Sequence, residues 1–259
     1  MKTIQICTYN VKNDNLGKIK PDAEIKTIYE KLLYDNNINI LATQEMIEHT
    51  IGILTNSLNN YHILGKYRYD YNKIFKKIKK IRKYNEGNNI ITNLPILVEK
   101  TTELPWFPRN IKEIINGTFK YKSITPRIIT QAILNVEGTK VRFLNTHLSL
   151  HSNSIKKLQL RKIKKMIKSS TIPVVLTGDF NTNIEDKVFV NFINDLKTLG
   201  LKRVEINGQT FKKDTNNLAI DHIFIPISWQ IKDYKIITDK YLKNYSDHYP
   251  ALVSIIIDN

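Results

Sequence analysis

The 259 residues, 41% of them hydrophobic, are enough to bury a large core, and no linker, repeat or Pro/Gly/Ser-rich stretch divides residues 1–259, so one domain is expected. A single cysteine, Cys7, excludes an intrachain disulfide, no apolar run nears the roughly 20 residues that span a bilayer, and the strand-like residues 4–7 follow Met1 too closely for a leader peptide, so a cytoplasmic monomer is expected. A formal charge of +16 calls for an anionic partner such as nucleic acid, an acidic lipid surface or a phosphorylated small molecule, although a chain this rich in Lys, Asn and Ile also acquires such charge from AT-rich coding.

In chain order, residues 4–10 read as a strand, and residues 22–36 repeat Ile25, Ile28 and Leu32 at helical spacing before a second strand at 38–44. Residues 66–84 interleave Lys, Arg and Tyr, with Ile74, Ile78 and Ile81 on one side and Lys76, Lys77, Lys79, Lys80, Arg82 and Lys83 around them. This is either a solvated amphipathic helix or a basic arm that tracks phosphates and offers tyrosines for stacking. Residues 101–126 form a long irregular insertion whose Trp106 and Phe107 serve as core plugs or as wedges against a substrate or membrane. Strands at 128–136 and 141–146 flank Glu137-Gly138-Thr139-Lys140, a hairpin signal. Helical patterns around residues 155–167 and 188–196 alternate with strands at 173–177, 218–225 and 252–257. Hairpins mixed with strand-helix-strand units imply mixed sheets with helices outside.

Acids and imidazoles stand at the ends of these apolar runs: Glu45, His147, Asp179, Asp221, Asp247 and His248. Desolvating a charge costs several kcal/mol, so such residues are paired or used. Strands of one sheet bring their ends together, and an acidic site with amides and imidazoles suits a hard divalent cation that works on a phosphate ester. His222, one residue from Asp221, points to the opposite face of its strand by simple alternation and is read as structural.

Thr8-Tyr9-Asn10-Val11, Gln44-Glu45, Gly87-Asn88-Asn89-Ile90-Ile91, Asn145-Thr146-His147-Leu148, Gly178-Asp179-Phe180-Asn181, Ile220-Asp221-His222-Ile223 and Ser246-Asp247-His248-Tyr249-Pro250 together resemble, in order and spacing, the endonuclease/exonuclease/phosphatase superfamily. The resemblance covers essentially the whole chain. It implies an α/β four-layer sandwich, two mixed β-sheets packed face to face with helices on the outer sides. It implies a phosphodiesterase using Mg²⁺ or Mn²⁺, and the charge and the basic residues 66–84 make nucleic acid the first choice of substrate; the other members it points to are sphingomyelinase-like phospholipid phosphodiesterases and inositol polyphosphate or phosphoinositide phosphatases. A pseudoenzyme that only binds phosphorylated ligands is the non-catalytic alternative. By the same resemblance Asn10, Glu45 and Asp247 hold the metal, Asp179 and Asn181 position water and phosphate, Asp221 orients His248, and His147 donates to a phosphoryl oxygen or assists the leaving group. Asp179 and Asn181 are expected to point the same way as alternate residues of an extended segment. Arg127, ahead of its strand, is a candidate substrate clamp. Abasic-site endonucleases of this superfamily carry Tyr where His147 stands and tryptophans where Gly208-Gln209-Thr210-Phe211 stands, so the resemblance points away from base-excision repair.

Overall fold

A computed structural model describes residues 2–12, 20–68, 85–105, 126–150, 152–213 and 219–257. Residues 69–84 of the basic stretch, with its lysines 76, 77, 79 and 80, and Trp106 and Phe107 of the insertion lie outside them.

The strands are β1 (Lys2–Asn10), β2 (Ile40–Ile47), β3 (His62–Leu64), β4 (Glu86–Thr92), β5 (Ile96–Leu104), β6 (Arg127–Val136), β7 (Thr139–His147), β8 (Val174–Asp179), β9 (Leu201–Arg203), β10 (Asp221–Pro226), β11 (Gln230–Ile236) and β12 (Ala251–Ile257). They form two six-stranded sheets, ordered β11-β12-β1-β2-β4-β3 and β5-β6-β7-β8-β10-β9. Both are mixed: β1 runs parallel to β2 and β7 parallel to β8, and the other pairings are antiparallel. The β6–β7 hairpin turns at Glu137 and Gly138, both at positive φ, as the sequence anticipates.

Alternation sorts the side chains into layers. Ile4 and Ile6 of β1, Ile40 of β2, Ile90 of β4 and Val253 and Ile255 of β12 meet Ala132, Leu134, Phe143, Val175, Ile223 and Ile225 from the other sheet in one core. The opposite face of the first sheet, with Cys7, Tyr9 and Leu41, packs on helices α1 (Asp22–Asp35) and α2 (Glu48–Ser57). Leu144, Leu176 and Phe224 of the second sheet pack on α3 (Asn153–Lys168) and α4 (Lys187–Thr198). Both later helices are capped from the sequence: Ser152 accepts from Ile155 N at 3.3 Å and Asp186 from Val188 N at 2.7 Å. The result is the expected four-layer sandwich. No described helix is long and apolar enough to cross a membrane.

Candidate active site

The site grows out of the same alternation. On the faces between the sheets, β1 reads Ile4, Ile6, Thr8, Asn10; β7 reads Val141, Phe143, Asn145, His147; β8 reads Val175, Thr177, Asp179; and the antiparallel β10, read backwards, gives Ile225, Ile223, Asp221. Each strand carries the apolar core along and then turns polar at one shared end. Just inside that end, Gln44 Nε2 donates to Asn145 Oδ1 at 2.7 Å and Thr8 Oγ1 at 3.1 Å, while Asn145 Nδ2 donates to Thr43 O at 2.8 Å and Asn89 O at 2.9 Å. These buried amides tie the two sheets together beneath the site, each bond worth more in this low-dielectric setting than in water.

Two backbone irregularities place the carboxylates. Glu45 sits at a β-bulge between Gln44 and Met46 with φ of 62°, a left-handed conformation rare for a residue with a Cβ, so its side chain is turned out of the strict alternation of β2. At Gly178 (φ 148°) a Cβ would stand 2.1 Å from Thr146 O, so only glycine lets β8 approach β7 closely enough to set Asp179 opposite His147.

The structure brings together Asn10, Glu45, His147, Asp179, Asp221 and His248. Asn10 Nδ2 donates to Asp179 Oδ2 at 2.9 Å and lies 3.3 Å from Glu45 Oε1. His248 Nδ1 pairs with Asp221 Oδ2 at 2.8 Å, the pairing expected from the sequence. The Nε2 atoms of His147 and His248 lie 3.5 and 3.8 Å from the same Asp179 oxygen. Asp247 is engaged by Lys12 Nζ at the mouth of the site. Its loop is gripped from below by Lys212, whose Nζ donates to the carbonyls of Leu242, Lys243 and Ser246 at 3.1, 2.8 and 2.6 Å.

Other candidates stand differently from their expectation. Asn181 is not in an extended segment: β8 ends at Asp179, Asn181 has φ of 49°, and its N–H donates to Asp179 Oδ1 at 2.8 Å in an Asx-type turn. Its Nδ2 donates to Leu148 O at 2.9 Å, and the buried Lys156 Nζ donates to its carbonyl at 2.8 Å. Arg127 is 7% exposed, and its Nε and Nη1 are buried without a hydrogen-bond partner, so it lies behind the site as a charge more than at its surface as a clamp. His222 does face the other way, packed against Phe180 and Phe189 with Nε2 2.9 Å from Thr182 O. Residues not anticipated are Arg68 and Glu86, paired at 2.9 Å beside His147, and Lys12, Lys156 and Lys212. A charged residue flanking a motif was the only signal for Lys12 and for Glu86, which precedes Gly87; Arg68, Lys156 and Lys212 lie within runs of like residues.

No protein-family model and no curated protein matches the sequence. Solved structures do. An endonuclease/exonuclease/phosphatase family protein from Bacteroides thetaiotaomicron superposes with a TM-score of 0.74 at 21% identity, covering 100% of this chain and 99% of that one. The chain has the endonuclease/exonuclease/phosphatase fold. A mannosyl-6-phosphatase from B. thetaiotaomicron (TM-score 0.71, 20% identity, 98% and 100% covered) and D. rerio TDP2 complexed with a single-strand DNA product (0.70, 15%, 99% and 100%) share it.

Within this endonuclease/exonuclease/phosphatase fold the electrostatics separate the ionisable groups. Burial, reinforced by Asp221, pushes the Asp179 carboxyl up, against the pull of His248 and the hydrogen bonds from Asn10 and Asn181. Burial opposes charge on His248, yet Asp221, with Asp179 and Asp247, holds its pKa up at about 9. Burial pulls Arg127 down to about 9, and Arg68 repels it further. The donor set suits a hard cation. Glu45, Asp179 and Asp221 offer carboxylate oxygens and Asn10 an amide, the lone thiol of Cys7 is buried on the other face of β1, and the Asn10 amide nitrogen already bridges two carboxylates as a positive pole. Asp179, Asp221 and His248 also offer ligand atoms within 4.8 Å of one another.

Proposed function

We propose that this chain hydrolyses phosphate esters with the help of a divalent cation, nucleic-acid phosphodiesters being the first substrate class. The observation that carries the reading is the convergence of Asn10, Glu45, His147, Asp179, Asp221 and His248 from five strand ends and one loop on a single buried oxygen atom, Asp179 Oδ2, and its neighbours. Asp179, its basicity raised by burial, takes the proton of an attacking water that it orients by hydrogen bond, while the P–O ester bond opposite that water breaks and the leaving oxygen takes a proton from solvent. His248, kept charged by Asp221, donates from Nε2 to the phosphoryl oxygens as negative charge develops there. Glu45 and Asn10 are the residues that would hold the cation, joined by Asp247 once Lys12 releases it; when bound, Mg²⁺ or Mn²⁺ supplies Lewis-acid charge to the same oxygens. The Asp179–Asp221–His248 group is assigned to proton handling, because the 2.8 Å bond to Asp221 Oδ2 occupies His248 Nδ1 and leaves its Nε2 3.8 Å from Asp179 Oδ2. Asn181 shapes the turn that holds Asp179, and Arg127 adds positive potential behind the phosphate.

Support for nucleic acid comes from the formal charge of +16 and from the fold shared with TDP2, solved with single-strand DNA. A soluble phosphate monoester of a sugar or polyol is the second reading, favoured by the shared fold of the mannosyl-6-phosphatase. The test is one panel of single- and double-stranded DNA, RNA, sphingomyelin vesicles, inositol phosphates and mannose 6-phosphate, each with Mg²⁺, Mn²⁺, Ca²⁺ or EDTA. Turnover of at least one phosphate ester with Mg²⁺ or Mn²⁺, abolished by EDTA, is expected; full turnover in EDTA, or none anywhere in the panel, overturns the reading.

A further inference from the structure

We propose that Arg68 is a positioning residue that holds His147 as the neutral tautomer with its single proton on Nε2, making His147 a hydrogen-bond donor to the reacting phosphoryl group and not a base. The assignment of a reacting phosphoryl group rests on the function proposed above; the tautomer does not. Arg68 Nη2 lies 3.0 Å from His147 Nδ1, and the two residues are only 6% and 3% exposed. A guanidinium stays protonated and has donors only, so Nδ1 must accept, and the remaining ring proton sits on Nε2. That nitrogen lies 3.5 Å from Asp179 Oδ2, where the reaction is centred. Among the described residues, the charged groups facing the ring include Arg68 and Glu45 on the Nδ1 side, the latter at 3.8 Å, and Asp179 on the Nε2 side.

Arg68 is itself fixed from two directions. Its Nη1 pairs with Glu86 Oε1 at 2.9 Å, and its backbone N–H donates to Glu86 O at 2.8 Å. Tyr67 bridges to Gly87, where a Cβ would stand 2.7 Å from Lys66 O, so glycine is what admits this segment against β4. On the far side of Asp179, His248 has the opposite arrangement, its Nδ1 held by the carboxylate of Asp221. An acceptor behind one imidazole and a donor behind the other give two histidines different chemistry at the same oxygen.

The tautomer is read by long-range proton–nitrogen correlation spectra of ¹⁵N-labelled, metal-free protein at neutral pH, the His147 signals being assigned from their loss in His147→Gln. A bare Nδ1 and a protonated Nε2 are expected. Because Arg68→Met alone removes a charged partner from the buried Glu86, the comparison variant is Arg68→Met with Glu86→Met; Arg68→Lys retains a donor to Glu86. The double variant is expected to show both tautomers and, on whichever ester the panel identifies, a kcat lower by about a hundredfold with KM within about threefold, while Arg68→Lys falls between it and the parent. A proton on Nδ1 in the parent protein, or an unchanged His147 pattern in the double variant, overturns the proposal. Because the spectra need no substrate, a panel without turnover would sink the proposed function and leave this measurement to be judged on its own.

Discussion

At the scale of single residues, the decisive group is Asp179, which is 1% exposed and hydrogen-bonded by Asn10 and by the Asn181 N–H. Asp179→Asn keeps the shape and removes the basic oxygen, so turnover is expected to fall by at least about a hundredfold; full activity in this variant would remove Asp179 from the chemistry. His248→Ala is a poorer probe than its place in the motif suggests, because it leaves the fully buried Asp221 carboxylate without its partner, and a cost of about 3 kcal/mol or more in stability is to be expected. His222 makes a separate prediction about pH. Burial holds its pKa down at about 4 against an ordinary 6.5, so the unfolded chain takes up a proton that the folded chain refuses. The stability tied to a neutral His222 is complete above pH 6.5 and is lost as the pH falls toward 4, by up to roughly 3 kcal/mol. Denaturant melts at a series of pH values should show that slope, and His222→Phe should flatten it.

At the scale of elements, the site depends on how closely strands approach. Gly178→Ala would drive a Cβ against the Thr146 carbonyl at 2.1 Å, a backbone atom that cannot step aside. A loss above about 4 kcal/mol, or no folded protein, is expected by circular dichroism and thermal melting; a stable, active Gly178→Ala protein would mean that the β7–β8 spacing does not set the site. This level also divides what was legible in the sequence from what was not. His147, Asp179 and Asp221 could be read because each stands at the end of an apolar run, a pattern that survives in a sequence string, and Asn10 because it falls in a motif of the resemblance. Glu45 was legible by motif, but its bulge was not, since nothing in Thr43-Gln44-Glu45-Met46 announces a positive φ. β4 hid because its first four residues, Glu-Gly-Asn-Asn, read as a turn, and they are buried only because Asn88 donates to Ile128 O at 2.9 Å and Asn89 to Leu64 O at 3.1 Å. Arg68 hid at the edge of a charge run, where its neighbours made a solvated face the natural reading.

Over the whole molecule, mixed sheets with helices outside followed from the alternation of strand and helix patterns and the four layers from the family resemblance, whereas sheet order followed from neither, because which strands neighbour each other is a long-range choice. The charge of +16 belongs to this scale too. If lysines 76, 77, 79 and 80 grip a polynucleotide, neutralising all four should flatten the slope of log affinity against log salt, by up to about 0.9 on duplex DNA for each phosphate that a lysine had neutralised. Cleavage of a small soluble ester should hardly change. An unaltered salt slope would leave the shared fold with TDP2 as the main support for a nucleic-acid substrate.

The pairing of the first strand with the last has a temporal side. β1 lies between β2 and β12, with Thr3 opposite Ile256 and Thr8 opposite Ala251, and only Tyr249 and Pro250 separate His248 from β12. While the chain is being synthesised, N-terminal segments collapse first, but the edge of β1 that pairs with β12 stays open until residues 251–257 are available, and the His248–Asp221 pair waits on residue 248. The candidate site is thus completed late in synthesis, since a chain that has not yet reached residue 248 lacks the imidazole that pairs with Asp221.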